Sequence, residues 1–140
     1  MRNMRNLIIL FFLLVGGSLF FNANATEADS LRSLINGLSK NDTTRLVHLN
    51  LLAVIKQSTR EGLSIAQELY QDADYLNSDK YKSLSALYAA LYYTNNSVMD
   101  SIEIYTNKSI QLAEKVELWK TYFEASKLKI NLLIRNGELE

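Results

Sequence analysis

Apolar helical patterns recur in this chain at a fixed step of 40 residues, and that step narrows the possible folds more than any other feature. Ala53, Tyr93 and Leu133 sit at equivalent points of three helix-like stretches, with Asn50, Ala90 and Ile130 in step with them. Gln57, Ser97 and Gly137 mark where each pattern breaks. The intervening stretches keep the same step, matching Gly62 to Ile102, Leu69 to Ser109 and Ala73 to Ala113. A period of roughly 20 to 50 residues marks a repeat array, whose units cannot bury their apolar faces alone and so stack on each other. The expected fold is all-α: antiparallel helix-pair repeats in an α-solenoid about two and a half repeats long.

Local patterns agree with the step. Proline is absent, and strand-like alternation is missing while helical spacing runs throughout. The first stretch, Asp29 to Ser39, places Leu31, Leu34, Ile35 and Leu38 on one stripe. Asp29 or Ser30 is suited to cap it, because a short oxygen-bearing side chain accepts from the free amides of a first turn. Asp42 or Thr43 caps the next helix, which carries Leu46, Leu49, Leu52 and Ala53. A further helix follows Ser58-Thr59-Arg60-Glu61, with Leu63, Ala66, Leu69, Tyr70 and Ala73 on its inner side. Leu84, Leu87, Tyr88, Leu91 and Tyr92 then form one face of a helix. Ile102, Tyr105, Leu112, Ala113 and Val116 mark another. The last runs from about Leu118 to Arg135, with Trp119, Phe123, Ile130 and Leu133 expected inward. Asn136-Gly137 reads as a turn, and Glu138-Leu139-Glu140 as the first residues of a further helix. The third repeat thus has one helix of its pair and no polar cap, so the architecture is expected to continue past Glu140.

The N-terminus reads as an address. Arg2 and Arg5 precede the apolar run Leu7 to Phe21, and Ala23-Asn24-Ala25 supplies a small-x-small pattern. This is the form of a secretory signal peptide cut after Ala25, giving a leader (residues 1–25) and one helical domain (residues 26–140) in an exported, periplasmic location. The run has 15 residues, short of the roughly 20 that span a bilayer. Membrane contact is therefore expected only through the leader or a downstream segment. Without the leader, 13 basic residues face 15 acidic ones, a net charge of −2. No basic block points to nucleic acid. Cysteine is absent, which removes disulfides and thiol chemistry.

The sequence shows no enzyme. His48 is the only histidine and lies in an apolar helix, where a packed or surface role outweighs a metal or nucleophile-activating one. No phosphate loop or zinc pattern occurs, so no catalytic residue, metal or cofactor is assigned. Glu61, Glu68, Asp72, Asp74 and Asp79 have the spacing of a solvated helix face and its following loop. Tyr88, Tyr92, Tyr93, Tyr105 and Tyr122 read mainly as core, with their hydroxyls directed to the edge.

Asp29-Ser30-Leu31, Asp42-Thr43-Thr44-Arg45-Leu46, Leu49-Asn50-Leu51-Leu52-Ala53 and Gly62-Leu63-Ser64-Ile65-Ala66 resemble the opening of certain exported tetratricopeptide-repeat proteins of Gram-negative bacteria. Asp100 to Tyr105 with Lys108 to Lys115 resembles the second helix of such a repeat. The step of 40 is longer than the roughly 34 of the standard repeat. The resemblance implies a TPR-like periplasmic sensor region of a histidine kinase or helix-turn-helix regulator. It also implies that the first helix of each pair lines a concave face, which places Asn95, Lys127, Asn131 and Arg135 on a groove. Arg135 has a planar fork suited to a carboxylate. The expected function is an exported binding module with a peptide or protein partner, acting as a sensor. The alternative is an assembly adaptor or a homodimer, working through the open edge between Trp119 and Leu139.

Overall fold

The computed structural model describes residues 26–138. The expected leader, its expected cleavage point and Leu139-Glu140 lie outside the described residues. Six helices follow one another: α1 (residues 26–37), α2 (Thr43–Lys56), α3 (Arg60–Tyr75), α4 (Asp79–Asn95), α5 (Met99–Lys115) and α6 (Trp119–Arg135). Consecutive helices from α2 onward pack antiparallel, and α4 also touches both α2 and α6, whereas the backbones of α3 and α5 do not approach each other. The array therefore curves with α2, α4 and α6 as its inner layer. Among the described residues, no helix is long and apolar enough to cross a membrane.

The step of 40 is two steps of 20. Asn77, Ser97, Glu117 and Gly137 stand 20 residues apart, and all four have positive φ (51°, 57°, 55° and 72°). At each, the following amide reaches back to a carbonyl five residues earlier: Ser78 to Ala73, Val98 to Tyr93, Leu118 to Ala113 and Glu138 to Leu133, at 2.8–3.1 Å. This is the Schellman closure, in which a left-handed residue lets the chain satisfy the last carbonyls of a helix. One residue type is not required, which is why glycine occupies only the last of the four. A 17-residue helix and a three-residue turn generate the period.

The α2–α3 turn departs from this rule. Gln57 ends α2 in the right-handed region, and Thr59 caps α3, its Oγ1 accepting from the Gly62 amide at 3.0 Å. The turn is tight enough that a Cβ on Gly62 would lie 1.9 Å from the Lys56 carbonyl oxygen. Asp42 caps α2 by accepting from the Thr44 amide at 2.8 Å, as its short side chain suggests.

The core begins with Ala28, Ile35, Leu46, Leu49, Leu52, Ala53, Ile65, Ala66, Leu69 and Ala73, all buried between α1, α2 and α3. Helix α4 is enclosed on most sides, every residue from Ser85 to Ala90 being buried. Small side chains let its neighbours approach closely. Ser83 Oγ donates to the Ser109 carbonyl on α5 while Ser109 Oγ donates to the Ser83 carbonyl, both at 3.0 Å. Ser85 Oγ donates to the Ala66 carbonyl on α3 at 2.6 Å. These hydroxyls satisfy themselves on backbone carbonyls and keep their burial cheap.

Several expectations need correction. Helix α1 already runs at residue 26, so Asp29 and Ser30 lie inside it and cap nothing, and Leu34 is exposed. Val116 is exposed beyond the end of α5. The acidic stretch on α3 is not simply solvated. Asp72 is buried and accepts from Arg45 Nε at 2.6 Å, while Glu68 takes Arg45 Nη2 at 2.5 Å and Arg32 Nη1 at 2.8 Å. Arg45 Nη1 also donates to the Ile35 carbonyl at 2.6 Å, so one guanidinium fastens α1, α2 and α3. Asp79 pairs with Lys82 and Lys115, and these ammonium groups hold its carboxyl below the usual range. Trp119, Phe123 and Ile130 are not inward on α6: they are 51%, 65% and 50% exposed. Leu133 is half-buried, and the side of α6 that packs on α5 carries Thr121, Ala125 and Leu132. Helix α6 is apolar on two sides, so periodicity alone does not identify the packed one.

Candidate binding surface

The repeat shows what covers the equivalent side of α4. Stepping back 40 residues carries Trp119, Phe123, Ser126 and Ile130 onto Asp79, Ser83, Ala86 and Ala90 of α4. In α4 this side faces α5. Asp79 Oδ2 lies 2.6 Å from Lys115 Nζ, Ser83 exchanges hydrogen bonds with Ser109, and Ala86 and Ala90 are buried. The same side of α6 carries larger apolar groups and has no helix on it among the described residues.

Its chemistry is aromatic at one end and aliphatic at the other. Trp119 and Tyr122 meet edge to face at 5.9 Å, as do Tyr122 and Phe123 at 5.6 Å. Ile130 and Ile134, 50% and 55% exposed, continue the stripe about two and three turns beyond Phe123. Four large apolar side chains aligned on one helix face exceed the scattered exposure normal for a soluble surface. Tryptophan and tyrosine also belong to the residue types that dominate binding energy at interfaces.

Of the residues placed on a groove by resemblance, Asn95, Lys127, Asn131 and Arg135 are all exposed and stand on inner-layer helices. Spaced four apart, Lys127, Asn131 and Arg135 share one side of α6, each step turning about 40° around the axis. Lys127 borders the apolar stripe, and Asn131 and Arg135 lie progressively further round. Asn95 holds the place of Arg135 one pair earlier, and its Nδ2 donates to Ser58 Oγ at 3.3 Å, tying α4 to the α2–α3 turn. The structure does not draw the four into one cluster. Deeper in the inner layer, Tyr88 Oη donates to Asn50 Oδ1 at 2.8 Å. Burial, the Glu124 charge and Tyr81 push the Tyr88 phenol up to about 12.

The Trp119–Ile134 face is the feature that the expected burial of α6 obscured. The signal was present in the small residues: the side that packs on α5 carries Thr121 and Ala125, and Ser85 takes the place of Ala125 where α4 packs on α3. Among the described residues, no three His, Cys, Asp or Glu side chains stand close enough to hold a metal ion. His48 Nδ1 is buried without a hydrogen-bond partner. No protein-family model, no curated protein and no solved structure matches this chain.

Proposed function

We propose that this chain is a helical-repeat binding module that receives a helix from a protein partner on the outer face of α6. We assign it the role of extracytoplasmic sensor in a signal-transduction protein. The observation that carries the binding role is the match between the exposed Trp119–Phe123–Ile130 face and the α4 face that α5 covers. A surface built to the same plan and left apolar calls for the same kind of occupant, an amphipathic helix. Residues facing Phe123 and Ile130 on that helix need to be small, since these side chains are larger than Ser83 and Ala90. Export and the sensor role rest on the N-terminal residue pattern and on the resemblance to periplasmic repeat proteins.

Site-specific photo-crosslinking in the cells that make the protein tests this reading. A crosslinker at Phe123 is expected to capture one defined protein, while the same group at Glu103, exposed on α5, captures none. Equal, diffuse capture at both positions would contradict it. The second reading, an assembly adaptor that pairs with its own copy, is favoured by the same face because a two-fold contact uses one patch twice. Sedimentation separates the two. A concentration-dependent dimer that disappears in Phe123→Asp supports self-assembly, and a monomer at all concentrations supports the heterologous partner.

A further inference from the structure

We infer that the cleft between α3 and α5 is a second binding site, for a small aromatic carboxylate one or two residues in size. Because the backbones of α3 and α5 stand apart over α4, the space between them is a cavity of about 290 Å³. Its floor is Ser85 and Ala89, whose small side chains give it depth. Tyr70 and Gln71 form one wall with Gln67, and Tyr105 and Lys108 form the other. The size lies at the lower edge of ligand pockets, below that of drug-like molecules.

The polar groups here are unspent. Ser85 Oγ is committed as a donor to the Ala66 carbonyl. Among the described residues, however, the Gln67 and Gln71 amides and the Tyr70 and Tyr105 hydroxyls engage no hydrogen-bond partner. Lys108 reaches across the cleft to Tyr70, its Nζ resting 3.9 Å from the ring centroid. Neighbouring lysines behave differently: Lys82 pairs with Asp74 and Asp79, and Lys115 with Asp79. Asp74, one turn along α3 from Tyr70, is thereby turned away to Lys82 at 3.4 Å. Lys108 is thus a half-buried cation with a ring for company and, among the described residues, no carboxylate. A carboxylate is the stronger partner for an ammonium group, so an entering anion takes Lys108 from Tyr70 and frees that ring face. The ligand body then packs on Tyr70 and Tyr105 over Ala89, and its amide meets Gln67 or Gln71. Tyr105 is braced for this, its ring stacked on Tyr93 at 5.4 Å and 20°.

The test is a backbone-amide NMR titration of the purified protein with N-acetyl-phenylalanine and, separately, its uncharged primary amide. Shifts confined to residues 67–71 and 105–108 are expected for the acid, with the amide binding about tenfold more weakly. Lys108→Met is expected to reduce the acid to the affinity of the amide while leaving the rest of the spectrum unchanged. Phe123→Asp, on the other face, is expected to change neither. Equal binding of acid and amide by the native protein would overturn the proposal, as would an absence of shifts in the cleft at about 10 mM acid. Neither result bears on the α6 face.

Discussion

At position 88 a phenol that donates to the Asn50 side-chain oxygen at 2.8 Å is almost completely cut off from water. Burial is the first cause of its raised pKa, about 12, followed by the charge of Glu124. In the unfolded chain a tyrosine releases its proton near pH 10. Between these values the folded state holds a proton that the unfolded state has lost, so stability falls as pH rises from about 10 to 12. The loss is on the order of 2 kcal/mol. Chemical denaturation of native protein and Tyr88→Phe across this range is expected to show an alkaline slope in the first that is reduced in the second. Equal slopes would place the titration elsewhere. Glu117 offers a second prediction at this scale. It is exposed and sits at φ 55°, a conformation that costs an ordinary L-residue roughly 1–2 kcal/mol. Glycine adopts it freely, at an entropic cost of roughly 0.5–1 kcal/mol. Glu117→Gly is therefore expected to raise the thermal midpoint by a few degrees. A lowered midpoint would mean that the glutamate side chain contributes something its exposure does not suggest.

At the scale of elements, one guanidinium joins three helices. Arg45 is buried, and its partners Asp72, Glu68 and the Ile35 carbonyl belong to α3, α3 and α1. Removing a single member of a buried ion pair leaves an uncompensated charge, worth roughly 3–5 kcal/mol. Arg45→Met is expected to lower the urea midpoint accordingly, and Arg45→Met with Asp72→Leu to recover part of the loss. A double variant less stable than the single one would contradict the ion-pair account. The stretches that became α2 and α3 were legible in sequence. Leu46, Leu49, Leu52, Ala53, Ala66, Leu69 and Ala73 are apolar, regularly spaced and buried. Helix α4 was legible only in part, because Ser83, Ser85, Ala86, Ala89 and Ala90 bury more completely than Leu84, Leu91 and Tyr92. Close helix contact selects small residues, which a search for large apolar ones passes over. The 20-residue step was hidden for a related reason: the positive-φ site accepts Asn, Ser, Glu and Gly, so geometry repeats where residue type does not. The salt bridges of Arg45 were hidden because a charged residue on a helix looks solvated until its partners are placed.

For the whole molecule, repetition explains both what holds it together and what it offers. Each helix from α3 to α5 is packed by a helix before and after it, whereas α6 rests on α5 and α4 with no later helix on it among the described residues. In an array whose stability is a sum of neighbour contacts, an uncovered apolar helix side of this kind is a joint or a docking face. The α3–α5 cleft follows from the same curvature, since drawing α2, α4 and α6 together separates the helices outside them. Trp119 gives this reading its most direct measurement, because it is the only tryptophan in the chain and stands on the α6 face, 51% exposed. In dilute monomer its emission is expected at the long wavelength of a wetted indole and open to acrylamide quenching. Addition of the partner captured at Phe123 should shift the emission to shorter wavelength and shield it from acrylamide. Emission and quenching that stay unchanged while that partner binds would contradict the claim that the outer face of α6 is the working surface.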